Sequence, residues 1–160
     1  MTAPEGLVVR PATTADLLAV LAIHARRDPG TDRPVAPTAR QVQTWTETMG
    51  RDGLTVYVGE LDEELVGTAT LLLMPSITQG CEPTAFVEAV VVDHRFRRRG
   101  IASTILRRLL ADAEVAGVNK VQLLSHKRHA TDGAHDLYLG LGFEPLAEGF
   151  RHYLRVRPTS

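Results

Sequence analysis

The 160-residue chain holds one cysteine, Cys81, so no internal disulfide can form, and a lone thiol suits a reducing compartment. Neither charge is in excess: 18 Lys and Arg face 19 Asp and Glu, a formal net charge of −1. That balance argues against a dedicated nucleic-acid binder, which is normally strongly basic. No run approaches the ~20 apolar residues that span a bilayer. The longest, residues 69–74 and 89–92, have the length of buried strands. The start, Met1-Thr2-Ala3-Pro4-Glu5, carries neither the basic nor the apolar stretch of a secretory signal. Six histidines are present, but His126, His129 and His135 lack the cysteine or dense carboxylate set that would complete a metal site. Repeats, linkers and low-complexity tracts are absent too. The expectation is one cytoplasmic domain over residues 1–160, with no metal, no membrane and no nucleic-acid partner. At this length roughly two-thirds of the unfolded surface is buried, so the core needs no cross-link.

What is present alternates between strand and helix signals. Residues 7–10 read as a short strand closed by Pro11, and Thr13, Thr14 and Asp16 mark a helix start. Leu17, Leu18, Leu21 and His24 recur at helical spacing until Asp28-Pro29-Gly30, and a second helix is predicted over 38–49. Strands over 54–58 and 65–73 are joined by a hairpin at 61–64, and a third follows over 84–92 after a loop at 74–83. Ile101, Ile105, Leu109 and Ala113 fall four apart, an amphipathic helix ending near Gly117. A strand over 118–125, expected to be buried on both faces, precedes a short helix over 134–141 capped by Gly142. Strands over 143–146 and 150–156 end the chain. The order β-α-α-β-β-β-α-β-α-β-β implies an α+β fold: a mixed, mostly antiparallel central sheet with helices on both faces.

Arg97-Arg98-Arg99-Gly100-Ile101-Ala102 stands between a buried strand and the first turn of the amphipathic helix. The first amides of a helix have no internal partners, and the aligned peptide dipoles make that end partly positive. A phosphate placed there accepts hydrogen bonds from main-chain N–H groups. Gly100 lets the chain curl closely around an anion. Ala102 leaves the next approach unobstructed, Ser103 adds a hydroxyl, and Arg97, Arg98 and Arg99 add positive charge. The segment reads as a cradle for a diphosphate. It lacks the Gly-Lys-Ser/Thr ending of the nucleotide P-loop and the Gly-x-Gly-x-x-Gly of a dinucleotide fold. Taken alone, the string also suits a basic surface turn that caps a helix.

Residues 87–102, Val-Glu-Ala-Val-Val-Val-Asp-His-Arg-Phe-Arg-Arg-Arg-Gly-Ile-Ala, resemble the acetyl-CoA signature of the GNAT superfamily of N-acetyltransferases. There the pattern is Arg/Gln-x-x-Gly-x-Gly/Ala, a few residues after a strand. Downstream, Ala134-His135-Asp136-Leu137-Tyr138-Leu139-Gly140-Leu141-Gly142-Phe143 resembles the family's short helix, with a tyrosine four residues before Gly-Phe. The element order fits over nearly the whole chain, while the first ~80 residues fit by that order alone.

The resemblance implies an acyltransferase that uses acetyl-CoA as acyl donor and a primary amine, on a small molecule or a peptide, as acceptor. The pyrophosphate would lie on the amides of residues 98–103, and the pantetheine arm would run along strand 84–92, pairing with Val90 and Val92. A main-chain N–H near Val90 or Val91 would meet the thioester carbonyl. Relatives have a bulge there that splays the central strands; none is visible in this sequence. Tyr138 matches the family's acid, which protonates the CoA sulfur; a packed aromatic is the structural alternative. Glu88 is the candidate base. Alternation places it with Phe86, Val90 and Val92, and burial among them would raise its pKa; an ion pair with an arginine or a solvated position are the alternatives, and a water chain could take the proton instead. Thr131 stands where many relatives have an asparagine, within a long, basic segment at 125–132. A homodimer is common among similar proteins. Two further readings remain beside amine acetylation: transfer of a longer acyl chain, and a catalytically silent acyl-CoA sensor.

Overall fold

Five stretches rich in β-branched and aliphatic residues build one sheet: β1 (Val8–Pro11), β2 (Leu54–Leu61), β3 (Glu64–Met74), β4 (Thr84–Val92) and β5 (Lys120–Leu123), side by side in that order. The computed structural model showing this sheet describes residues 3–30, 36–130 and 133–154. Its contacts divide into two units, Met1–Leu123 and Leu124–Ser160. Strands β1 to β4 are antiparallel, each to the next, whereas β4 and β5 are parallel. The connections explain the difference. Asp62 and Glu63 make a two-residue turn between β2 and β3, with left-handed φ of 51° and 64° that suits the strand twist. β4 reaches β5 through a helix, α3 (Ile101–Val115), the crossover that a parallel pair requires.

Both faces of the sheet are covered. Tyr57 and Val58 are neighbours in β2 whose side chains point to opposite faces, yet they are only 3% and 0% exposed. On the Tyr57 face lies α3, burying Ile101, Ile105, Leu106, Leu109 and Ala113. The Tyr57 hydroxyl donates to Asp112 of that helix at 2.8 Å. Gly59 and Gly67 oppose each other across β2 and β3 and leave room for it. A Cβ at Gly67 would lie 2.9 Å from Ile105 and 3.1 Å from Ile101. The other face carries Arg10, whose guanidinium pairs at 2.8 Å with Asp16, just before α1 (Leu17–Ala25). Val20 and Ile23 are the buried residues of that helix. The next helix, α2 (Ala39–Met49), starts where the Thr38 hydroxyl accepts the Gln41 N–H at 3.2 Å. Among the described residues no helix is long and apolar enough to cross a membrane.

The second unit holds α4 (Ala134–Gly140), followed by Gly142 at a left-handed φ of 86°. Neither strand expected after α4 is formed among the described residues. Within 143–146 the chain turns instead, the Leu146 N–H donating to the Glu144 carbonyl at 2.9 Å. Pro145, at the centre of that turn, fixes its own φ and has no N–H to give a ladder. Residues 150–154 are irregular, and 155–156 lie outside the described residues. The strand expected over 118–125 is shorter, and its residues are half-buried or exposed rather than enclosed. Its place explains this: β5 is the outermost strand and has a partner only in β4.

Candidate active site at the β4 edge and the α3 N-terminus

β4 supplies the first part of the site. Against β3 its register slips: Glu88 opposes Thr70 and Val91 opposes Thr68, so Ala89 and Val90 together face Ala69. This is a β-bulge, with Ala89 left-handed at φ 53°. On the other side, pairing with β5 stops at Val87. Beyond Val87 no strand covers that edge of β4 among the described residues. The Asp93 N–H donates to Val66 of β3 at 3.0 Å, so by alternation Val92 turns its N–H and C=O to the uncovered edge. Such an edge can take an extended ligand as if it were another strand.

The second part begins a few residues later. Gly100 caps α3 with φ 77° and no side-chain cap, and Arg98 is also left-handed at φ 59°. A left-handed residue followed by helical ones turns successive N–H groups into one concavity, which suits an anion. Among the described residues, no acceptor takes the N–H groups of 98–103; the first helical bond runs from Thr104 to Gly100 at 3.0 Å. The Ser103 and Thr104 hydroxyls both turn back to the Gly100 carbonyl, at 2.8 and 2.9 Å. The packing described above fixes where this cradle sits. Ile101 lies on Gly67, and Gly67 opposes Val92, so the helix starts beside the end of β4.

A buried carboxylate braces the turn between the two parts. Asp93 is 0% exposed and accepts the Arg95 N–H at 3.0 Å and the Arg95 guanidinium at 2.7 Å, with Arg26 at 3.8 Å. Burial alone would raise this carboxyl. The Arg95 bonds and the Arg26 charge outweigh it and hold Asp93 below the usual carboxylate range. Arg95 also pairs with Glu64 at the start of β3. His94 donates its N–H to Arg26 O at 3.1 Å, and its Nδ1 lies 2.9 Å from the same oxygen. Arg97 donates from Nε to Val92 O at 3.3 Å and from Nη2 to Arg27 O. Arg99 lies 5.5 Å from the centre of the Phe96 ring.

Several expected residues therefore sit differently from the sequence reading. Glu88 is exposed rather than enclosed among apolar neighbours, and the bulge breaks the alternation. It shares its face with Phe86 and Val91; Val92, opposite Gly67, is on the other. Val90, Val91 and Val92 are half-buried at the open end of β4, and Ile101 is buried while Ala102 and Ser103 are half-buried. Tyr138 lies half-buried in α4, its ring edge-on to Phe143 with centroids 6.0 Å apart. Thr131 lies outside the described residues. Sequence reasoning missed Ala89, Asp93, His94 and Arg95. Asp93 had a signal, an Asp two residues before an Arg at a strand exit, the pattern of a side chain closing a turn. Ala89 had none.

The profile of the Acetyltransferase (GNAT) family matches residues 18–143. The chain belongs to that family, and it is an N-acyltransferase. Among solved structures, a protein of Agrobacterium tumefaciens described as an acetyltransferase is 29% identical, with a TM-score of 0.82 over 91% of this chain and 99% of that one. A transcriptional regulator of Bacillus halodurans shares the fold at 24% identity, with a TM-score of 0.80 over 92% and 99% of the two chains. So does AAC(6')-Iy, solved with the bisubstrate analogue CoA-S-monomethyl-acetylneamine, at 18% identity and a TM-score of 0.73 over 94% and 99%. No curated protein matches the chain by sequence.

Proposed function

We propose that the protein transfers the acetyl group of acetyl-CoA to a primary amine by direct attack of the amine on the thioester. One observation carries the reading: a run of main-chain N–H groups at 98–103, left without acceptors at a helix start, lies beside a strand edge opened by a bulge. The cradle suits the pyrophosphate, with Arg98 and Arg99 adding positive charge around Gly100, Ile101, Ala102 and Ser103, while the Arg97 guanidinium is held on Val92 O and Arg27 O. The open edge suits the amide-bearing pantetheine arm, which would pair with Val90 and Val92. A main-chain N–H at Val90 or Val91 is assigned to the thioester oxygen, where negative charge grows during attack. A structure of AAC(6')-Iy holding a CoA bisubstrate analogue supports both the donor and the amine acceptor for this fold.

The chemistry sets what the side chains must do. An alkylammonium with a pKa near ~10 is almost wholly protonated at neutral pH and cannot attack. Glu88, exposed on its sheet face, or a water it holds, is assigned to take the amine proton. As the new C–N bond forms and the C–S bond breaks, the leaving thiolate needs a proton, for its parent thiol has a pKa near ~8.5. Tyr138 is assigned to give it, from the sequence match. The acceptor is an amine on a small molecule or a peptide, and a homodimer remains compatible with this role. We take the chain as a single catalytic domain, since the family match runs through both units, and as cytoplasmic, which suits the exposed Cys81 thiol.

The test is a panel of primary amines assayed by release of the CoA thiol from acetyl-CoA, run beside a calorimetric titration with CoA. Amine-dependent thiol release is expected. CoA binding without release across the panel would turn the assignment to a silent sensor. Release from a longer acyl-CoA but not from acetyl-CoA would correct the donor.

A further inference from the structure

The C-terminal end of α1 is closed by residues from another part of the chain. The last carbonyls of a helix have no partners within it and need donors from elsewhere. Here the Arg26 carbonyl receives the His94 N–H and ring Nδ1, and the Arg27 carbonyl receives Arg97. The same guanidinium donates from Nε to Val92 O at 3.3 Å. Arg97 thus bridges two carbonyls, one where α1 ends and one on the uncovered edge of β4. Asp93 and Arg95 fix the turn that carries both residues, and Arg26 joins the same carboxylate at 3.8 Å.

We propose that His94 and Arg97 are positioning residues for the transfer. They lock the exit of α1, from which the chain leaves for α2, to the strand edge assigned to the acyl donor. The acceptor amine, which must reach Glu88 on the sheet face that α1 covers, is thereby set in register with the thioester. This inference rests on the acetyltransferase reading above. The competing role for Arg97 is a side-chain contact to a CoA phosphate. Its planar fork is already committed to two carbonyls, while Arg98 carries no such partner among the described residues and can supply charge.

Lysine separates the two roles, because it keeps the charge but cannot span two carbonyls as a guanidinium does. The experiment measures kcat, both KM values and the CoA Kd for wild type, Arg97→Ala, Arg97→Lys, His94→Phe and His94→Asn, with thermal midpoints to verify folding. If Arg97→Ala does not fold, Arg97→Gln replaces it. A misplaced acceptor predicts that both Arg97 variants lose about tenfold or more in kcat or acceptor KM, while CoA Kd stays within about threefold. His94→Phe should show the same loss, and His94→Asn, which restores a donor, should recover part of it. Weakened CoA binding in Arg97→Ala that lysine restores would overturn the proposal, and so would wild-type kinetics in both Arg97 variants. Absence of any transfer by the wild type would instead sink the functional reading.

Discussion

Tyr138 and Glu88 stand in different settings, and their proposed roles predict different losses. Tyr138 is half-buried with its ring against Phe143, so Tyr138→Phe keeps the packing and removes only the hydroxyl. An acid role predicts a fall of about 100-fold in kcat with CoA affinity intact; unchanged kcat would leave Tyr138 a packed aromatic. Glu88→Gln should slow the reaction most at acidic to neutral pH, where the amine holds its proton. A pH–rate profile superimposable on wild type would remove Glu88 from the mechanism. Legibility at this scale was uneven. Gly100 could be found because a left-handed cap before a helix selects glycine. Ala89 adopts a similar φ but is an ordinary strand residue, so the sequence offers nothing that marks the bulge, and the faces assigned to Glu88 and Val92 were misplaced with it.

Elements succeeded or failed according to how much of their specification was local. The span of β4 follows from β-branched and small apolar residues bounded by Pro83 and Asp93, and α3 from its four-residue spacing; both formed as read. The strands expected beyond α4 need a neighbour to pair with, and Pro145 turns the chain before one can form. The start of α1 is also local, and it carries a pH signature. Arg10 bonds, working against burial and aided by the Thr13 N–H and hydroxyl, bring Asp16 down to about 2. Because the folded pKa lies below the unfolded one, this stabilisation is full above about pH 4 and is lost as pH falls towards 2. Solvent screens the part-exposed Arg10, so the pair contributes about 2 kcal/mol at most. Urea unfolding of wild type and Asp16→Asn should differ near neutral pH and converge as pH falls to ~2. Curves that stay parallel over that range would show that the carboxylate charge is not what matters.

For the whole molecule, the packing of α3 on Gly59 and Gly67 brings a helix start to the end of an opened strand. Family membership, the element order as far as α4 and the helix start at Gly100 could be read from the sequence, because a short motif and its spacing encode them. The brace of Asp93, Arg95 and Glu64, and the bridge from Arg97 to α1, join residues far apart in the chain and emerged only with the fold. On the proposed reading, the N–H groups of 98–103 hold two linked phosphoryl groups. Calorimetric titration of the wild-type protein with CoA and with pantetheine, which lacks the diphosphate, tests this role. If those N–H groups bind the diphosphate, CoA should bind at least about 100-fold more tightly than pantetheine, with inorganic pyrophosphate competing against it. Equal affinity for the two, with pyrophosphate inert, would contradict the claim.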